Sequence, residues 1–305
     1  MELGMIGLGR MGGNMARRLL ERGHGILAFD ALPETVRQTE AFGATGAASL
    51  ADLVLNLRPP RSVWTMIPAG EATEQVIARL RGLLDRGDTV IDGGNSNYKD
   101  SLRRAHDLQE RGIRFMDVGV SGGIWGLAEG YSLMVGGDSD LVERHRGLFE
   151  TLALGPDRGW GHVGPVGAGH FVKMVHNAVE YGLMEAYAEG FELLAAKRDF
   201  GLDLGQVAQI WRHGSVVRSW LLDLTADLLA DEPALRQVRG YVPDTGEGRW
   251  AVAEAIDLNL CVPVITGALE RRLRSREAEP LSDKILAALR EKFGGHAVQR
   301  RSDAT

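Results

Sequence analysis

Residues 3–12 read Leu-Gly-Met-Ile-Gly-Leu-Gly-Arg-Met-Gly, and NMARRLLERG then runs on with helical period. A short apolar run, three glycines spaced GxGxxG and a helix admit few folds. The first glycine lets the backbone turn sharply at the strand end, and the last lets the helix lie close on the strand. About twenty residues on, a second apolar run, 26–29, closes on Asp30. A tight βα turn alone would explain the glycines but not the placed acid. Together they read as a dinucleotide-binding βαβ unit. Gly7 permits the turn, Gly9 leaves room for a pyrophosphate, and Gly12 packs helix on strand. The helix N-terminus faces the phosphates. The loop Gly7, Leu8, Gly9, Arg10, Met11 and Gly12 is therefore the expected cofactor cradle.

Asp30 also bears on which dinucleotide binds. A carboxylate there accepts from the adenosine ribose hydroxyls and repels a 2′-phosphate. Ala31 and Leu32 supply no cation to receive that phosphate. NAD is expected in preference to NADP. The competing role for Asp30 is to cap the turn toward Pro33.

Alternation of strand and helix continues through the first half. Strands are expected at 3–6, 26–29, 63–67, 89–92, 115–118 and 132–135, separated by helical patterns such as EATEQVIARLRGLL and YKDSLRRAHDLQERG. This implies a mostly parallel sheet. DSDLVERHRGLFETLA closes the half as a helix capped by Asp138 or Ser139. Beyond about Gly167 the pattern is helical, beginning with the long segment HFVKMVHNAVEYGLMEAYAEGFELLAAKR. The expected fold is an α/β Rossmann-type domain over 1–166, an all-α domain over 167–289 and a C-terminal tail over 290–305.

Composition narrows the partners. A formal net charge of −6 with interspersed signs argues against nucleic acid. Cys261 is the only cysteine, which fits a reducing compartment. MELGMIGLG runs straight into the strand pattern, so no secretory leader is expected, and no apolar run in the sequence is long enough to span a membrane. A cytoplasmic enzyme is expected.

Residues 173–181, KMVHNAVEY, carry the chemistry. Lys173, His176, Asn177, Glu180 and Tyr181 occur at the i, i+3, i+4, i+7, i+8 spacing of one helix face. Their neighbours Val172, Met174, Val175, Ala178 and Val179 are apolar, so the helix is expected to be buried on its broad face. Three polar loops end strands at the same sheet edge: Met66-Ile-Pro68-Ala-Gly, Asp92-Gly-Gly-Asn95-Ser-Asn-Tyr and Val120-Ser121-Gly122-Gly123. Ligands of doubly wound sheets bind at that edge. Asn95 can donate to and accept from a hydroxyl, and the backbone of residues 121–123 can receive a carboxylate.

GLGRMGGN, DGGNSNY, GVSGG, GAGHFVKMVHNAVEYG and the terminal FGGH together resemble the decarboxylating 6-phosphogluconate dehydrogenases, in order and over nearly the whole chain. The likeness is to the short-chain bacterial form. It implies Lys173 as the base that takes the 3-hydroxyl proton and Glu180 as the acid that protonates C1 after carbon dioxide leaves. It further implies Asn95, His176 and Asn177 on substrate hydroxyls, Ser121, Gly122 and Gly123 on the carboxylate, and Tyr181 and Arg272 at the phosphate. Met66, Pro68 and Asn95 would border the cofactor. Arg290 and His296 would come from a neighbouring subunit of a homodimer or homotetramer. This chemistry needs one base, one acid and a hydride acceptor, and no metal.

Two departures from the long form stand out. Its Lys-Gly-Thr-Gly-Lys-Trp motif corresponds here to Asp244-Thr-Gly-Glu-Gly-Arg-Trp250, with Thr245 near the place of a phosphate-binding lysine. Asp30 also differs from its NADP-type pattern. A dehydrogenase of small 3-hydroxy acids would share the glycine loop and Lys173 but needs neither Glu180 nor the arginines. A non-catalytic dinucleotide-binding scaffold would be expected to lack Lys173.

Overall fold

The computed structural model describes residues 1–232, 235–294 and 299. The contacts divide the chain into two compact units, Met1–Asn177 and the residues from Ala178 onward.

The first unit holds eight strands: β1 (Glu2–Ile6), β2 (Gly25–Phe29), β3 (Thr45–Gly46), β4 (Ser62–Thr65), β5 (Thr89–Asp92), β6 (Arg114–Ser121), β7 (Ser132–Gly136) and β8 (Trp160–Gly164). They form one sheet in the order β3-β2-β1-β4-β5-β6-β7-β8. All neighbours are parallel except β6 and β7. The helices are α1 (Arg10–Leu20), α2 (Pro33–Glu40), α3 (Leu50–Asn56), α4 (Glu71–Leu83), α5 (Tyr98–Gln109), α6 (Gly126–Glu129), α7 (Ser139–Leu152) and the start of α8 (Ala168–Ala196).

Side chains alternate across a strand, so each central strand feeds two cores. Met5, Trp64, Ile91 and Met116 join one cluster with Met15, Leu19 and Phe149. Their neighbours Ile6, Val63, Val90 and Phe115 join the other with Leu53, Leu80 and Leu108. Chain order reverses between β1 and β4, which opens a crevice beyond their carboxyl ends.

All six expected strands are present. The sequence reading lacks β3, which is two residues long, and β8. The latter is an edge strand with no side chain fully buried, so it carries no apolar alternation. Asp138 occupies the N-cap position of α7 but makes no capping bond; its carboxylate accepts from Arg114 Nη2 at 3.0 Å instead.

The second unit is helical: the rest of α8, then α9 (Leu204–Arg212), α10 (Trp220–Asp231), α11 (Glu247–Asp257), α12 (Pro263–Arg274) and α13 (Leu281–Gly294). Asp203 and Ser219 cap α9 and α10 by accepting from Gln206 N and Leu222 N. Phe191, Ala208, Leu222, Ala226 and Leu229 form its core. Among the described residues no helix is long and apolar enough to cross a membrane.

Candidate active site

The glycine loop is built as its spacing requires. Gly7 has φ +87°, and a Cβ there would lie 2.5 Å from the Met66 carbonyl oxygen. At Gly12 a Cβ would collide with the carbonyl oxygen of Gly7, so helix and turn are in backbone contact. Gly9 differs: a Cβ there meets nothing within 4 Å, because the space it faces is open. A pyrophosphate can approach the backbone through that gap. Asp30 is held from both sides, with Oδ2 accepting from Leu8 N at 2.7 Å and Oδ1 from Leu32 N at 2.8 Å. It thus caps the turn after β2 and still presents carboxylate lone pairs to the crevice. The Leu8 side chain is buried; its contribution is the N–H that fixes Asp30.

A cleft of about 800 Å³ opens at this edge of the sheet. It brings together Gly7, Gly9, Arg10, Met11, Gly12, Asp30, Met66, Pro68, Asn95, Lys173 and Asn177, eleven residues singled out in the sequence. These residues fit a nicotinamide dinucleotide: a helix N-terminus and open glycine for phosphates, Asp30 for a ribose, and a lysine at the far end. Sequence reasoning missed Ala72, Gln75 and Val76 in the lining. They sit at i, i+3, i+4 on the first turns of α4, directly after a loop already suspected. That spacing was a usable signal.

Lys173 is half-buried on α8, where the helix crosses β6. Gly119 makes the crossing possible, since any Cβ there would collide with that of Lys173. Ser121, Gly122, Gly123 and His176 belong to the same unit but do not line the cleft. His176 Nδ1 lies 3.1 Å from Asn177 Oδ1, and its Nε2 lies 3.5 Å from Ser121 Oγ. An oxygen can only accept from the ring at Nδ1, so the Nδ1–H tautomer fits, with Nε2 facing the hydroxyl. Gly122 and Gly123 have φ of +127° and +54°, which gives the turn its irregular backbone.

In the helical unit, Tyr181 is buried, with the Arg272 guanidinium 3.4 Å above its ring centre. Its hydroxyl lies 3.4 Å from Thr245 Oγ1 and 3.4 Å from Glu247 Oε2. Thr245 donates to Glu247 Oε2 at 2.5 Å. Burial pushes the Tyr181 phenol above its ordinary pKa. Glu247, itself buried, was not singled out from the sequence; an acid beside a glycine pair gives no local sign of burial. Glu180 is half-buried on α8, and Arg290 is exposed on α13. His296 lies outside the described residues.

The broad face of α8 is not buried as a whole. Met174 and Ala178 are, but Val175 and Val179 are 39% and 49% exposed. Successive helix positions turn by about 100°, and the described residues leave that side largely uncovered.

Comparison with known proteins agrees with this architecture. Residues 2–161 match the family model of the NAD binding domain of 6-phosphogluconate dehydrogenase, and residues 169–302 match that of the 6-phosphogluconate dehydrogenase C-terminal domain. The NAD(+)-dependent, decarboxylating 6-phosphogluconate dehydrogenase of Haloferax volcanii is 44% identical, with 99% of this chain and 100% of that protein aligned. The Plasmodium falciparum 6-phosphogluconate dehydrogenase, solved with NADP+ and with 6-phosphogluconate, superposes with a TM-score of 0.82 at 26% identity. That match covers all of this chain and 67% of the other. A 3-hydroxyisobutyrate dehydrogenase of Mycobacterium tuberculosis shares the fold at 23% identity and TM-score 0.72, over 88% of this chain and 91% of its own. The chain belongs to the 6-phosphogluconate dehydrogenase family.

Proposed function

We propose that the protein oxidatively decarboxylates 6-phospho-D-gluconate to D-ribulose 5-phosphate and carbon dioxide, a pentose phosphate pathway reaction, with NAD preferred over NADP. The observation that carries this reading is Lys173 in the dinucleotide cleft with Asn95 and Asn177, with Glu180 two turns further along the same helix. A nicotinamide dinucleotide held by Gly7–Gly12 and Asp30 would supply the hydride acceptor for oxidation at C3. Lys173 takes the proton of the 3-hydroxyl, leaving a β-keto acid. Loss of carbon dioxide gives an enediol, and Glu180 returns a proton to C1.

Asn95, His176 and Asn177 hold substrate hydroxyls in this scheme. Ser121, Gly122 and Gly123 hold the carboxylate. Tyr181 and Arg272 receive the phosphate. Glu247 adds negative charge beside Tyr181, and the stacked Arg272 guanidinium offsets it. Residues 1–166 carry the cofactor cradle and reach the sugar acid through Asn95 and residues 121–123, while 167–289 carry the remaining substrate residues. Asp30 supports the NAD preference, because no cation stands at Ala31 or Leu32.

The same reading makes the enzyme a cytoplasmic homodimer or homotetramer with a shared site, completed by Arg290 and His296 of a neighbour. An apolar groove of about 530 Å³ in the helical unit, lined by Met184, Phe191, Leu221, Leu224 and Leu228, supports association. Mixing inactive Lys173→Ala chains with inactive chains truncated before Arg290 should restore activity. No recovery in verified mixed oligomers would remove the shared site.

A steady-state assay tests the function itself. 6-Phosphogluconate is offered with NAD and with NADP, and 3-hydroxyisobutyrate in parallel, while reduced cofactor and carbon dioxide are followed. Equimolar release of both products from 6-phosphogluconate is expected. Turnover of the small acid alone, without carbon dioxide, would replace this reading.

A further inference from the structure

Asp117 is fully buried on β6 and has no part in the scheme above. Its Oδ1 accepts from Gly167 N at 2.6 Å and its Oδ2 from His170 N at 2.7 Å. Gly167 directly precedes α8 and His170 lies in its opening turn, whose N–H groups have no acceptor within the helix. A carboxylate also suits the positive end of the helix dipole. The His170 ring ties the same turn to α5 through Ser101 Oγ, 2.6 Å from Nδ1.

The seat has no slack. A Cβ on Gly136 would lie 2.6 Å from both Asp117 Oδ1 and Gly169 N, and one on Gly169 would press into the carbonyl oxygens of Asp117 and Met134. The backbone of α8 therefore rests directly on β6 and β7. Two residues along β6 from Asp117, on the same face, comes Gly119, which accommodates the Lys173 stem. One strip of strand thus seats the helix end and, one turn later, admits the lysine.

We propose that Asp117 is a positioning residue for the reaction: its carboxylate sets the height and rotation of α8 on the sheet, and so the place of the Lys173 amine in the cleft. The inference rests on the reading of Lys173 as base. Two N–H groups need two acceptor oxygens; asparagine supplies one and turns an NH₂ toward the other donor.

The test is Asp117→Asn in the full-length protein. Single-turnover hydride transfer from 6-phosphogluconate to NAD, NAD affinity by tryptophan fluorescence and the thermal midpoint are measured together. Hydride transfer should fall about 10- to 100-fold, the range for an ångström-scale misplacement, with NAD affinity unchanged. Gly119→Ala pushes on the Lys173 stem without touching the carboxylate and should give the same signature. The double variant should be no slower than the slower single one, since both act on one displacement. A wild-type rate in Asp117→Asn alongside an inactive Lys173→Met would overturn the inference, as would a loss confined to NAD affinity. If Asp117→Asn does not fold, Asp117→Ser takes its place; no folded protein from either would assign the carboxylate to folding and also overturn it. An inactive wild type, or an active Lys173→Met, would instead fault the proposed function and take this inference with it.

Discussion

Arg104 Nη1 lies 2.7 Å from Asp92 Oδ2, and both side chains are almost wholly buried. Asp92 also accepts from Gly94 N and from Ser96 Oγ, while Arg104 reaches Ser96 Oγ at 2.8 Å and Glu74 Oε1 at 2.6 Å. The turn that carries Asn95 is therefore fastened from beneath to α4 and α5. The cleft wall at Asn95 is held by an ion pair that a reading of DGGNSNY as a polar loop does not reveal.

Arg104→Met should cost about 3–5 kcal/mol of stability, because it leaves a buried carboxylate without its cation. Urea unfolding measures the loss. Adding Asp92→Asn should recover part of it. A loss below about 1 kcal/mol would mean that the pair behaves as an exposed one.

Asp30→Ala should weaken NAD use about 10- to 100-fold, the scale of a hydrogen bond to a charged group, and it also frees Leu8 N. The ratio of kcat/KM values should move toward NADP, and further with Ala31→Arg. A wild-type enzyme more specific for NADP than for NAD would refute the assigned role of Asp30.

His145 gives a pH signature. It is fully buried, its Nδ1–H donates to Leu141 O at 2.8 Å, and its Nε2 accepts from Ser62 Oγ at 2.8 Å. Burial pushes its pKa below the ordinary value. Below about pH 6.5 the unfolded chain gains a proton there that the folded chain resists, so stability falls as pH drops through that value and is flat above it. His145→Gln should start less stable but show a shallower acid slope in its thermal midpoint. An unchanged slope would place the acid sensitivity elsewhere, with His24, also shifted down by burial, the next group to examine.

Local pattern made much of this protein legible. The loop from Gly7 to Gly12, the acid at Asp30 and the six main strands follow from apolar runs and glycine spacing over a few residues. Partners distant in sequence stayed hidden. Asp117 meets Gly167 fifty positions away, and nothing around either residue announces the bond. Arg104 and Glu247 look like surface charges until the fold buries them. Val175 and Val179 mislead in the other direction, since an apolar stripe on α8 reads as core whether or not the chain itself covers it.

Single-turnover kinetics of Lys173→Met and Glu180→Gln test the central claim most directly. Acid–base roles of this kind contribute about 10²–10⁴-fold each. Lys173→Met keeps the stem against Gly119 and removes the amine, so nicotinamide reduction should almost vanish while NAD still binds. Glu180→Gln should slow the passage from the 3-keto or enediol stage to ribulose 5-phosphate more than it slows hydride transfer. Near-normal hydride transfer in Lys173→Met, or no defect after oxidation in Glu180→Gln, would contradict the division of labour along α8.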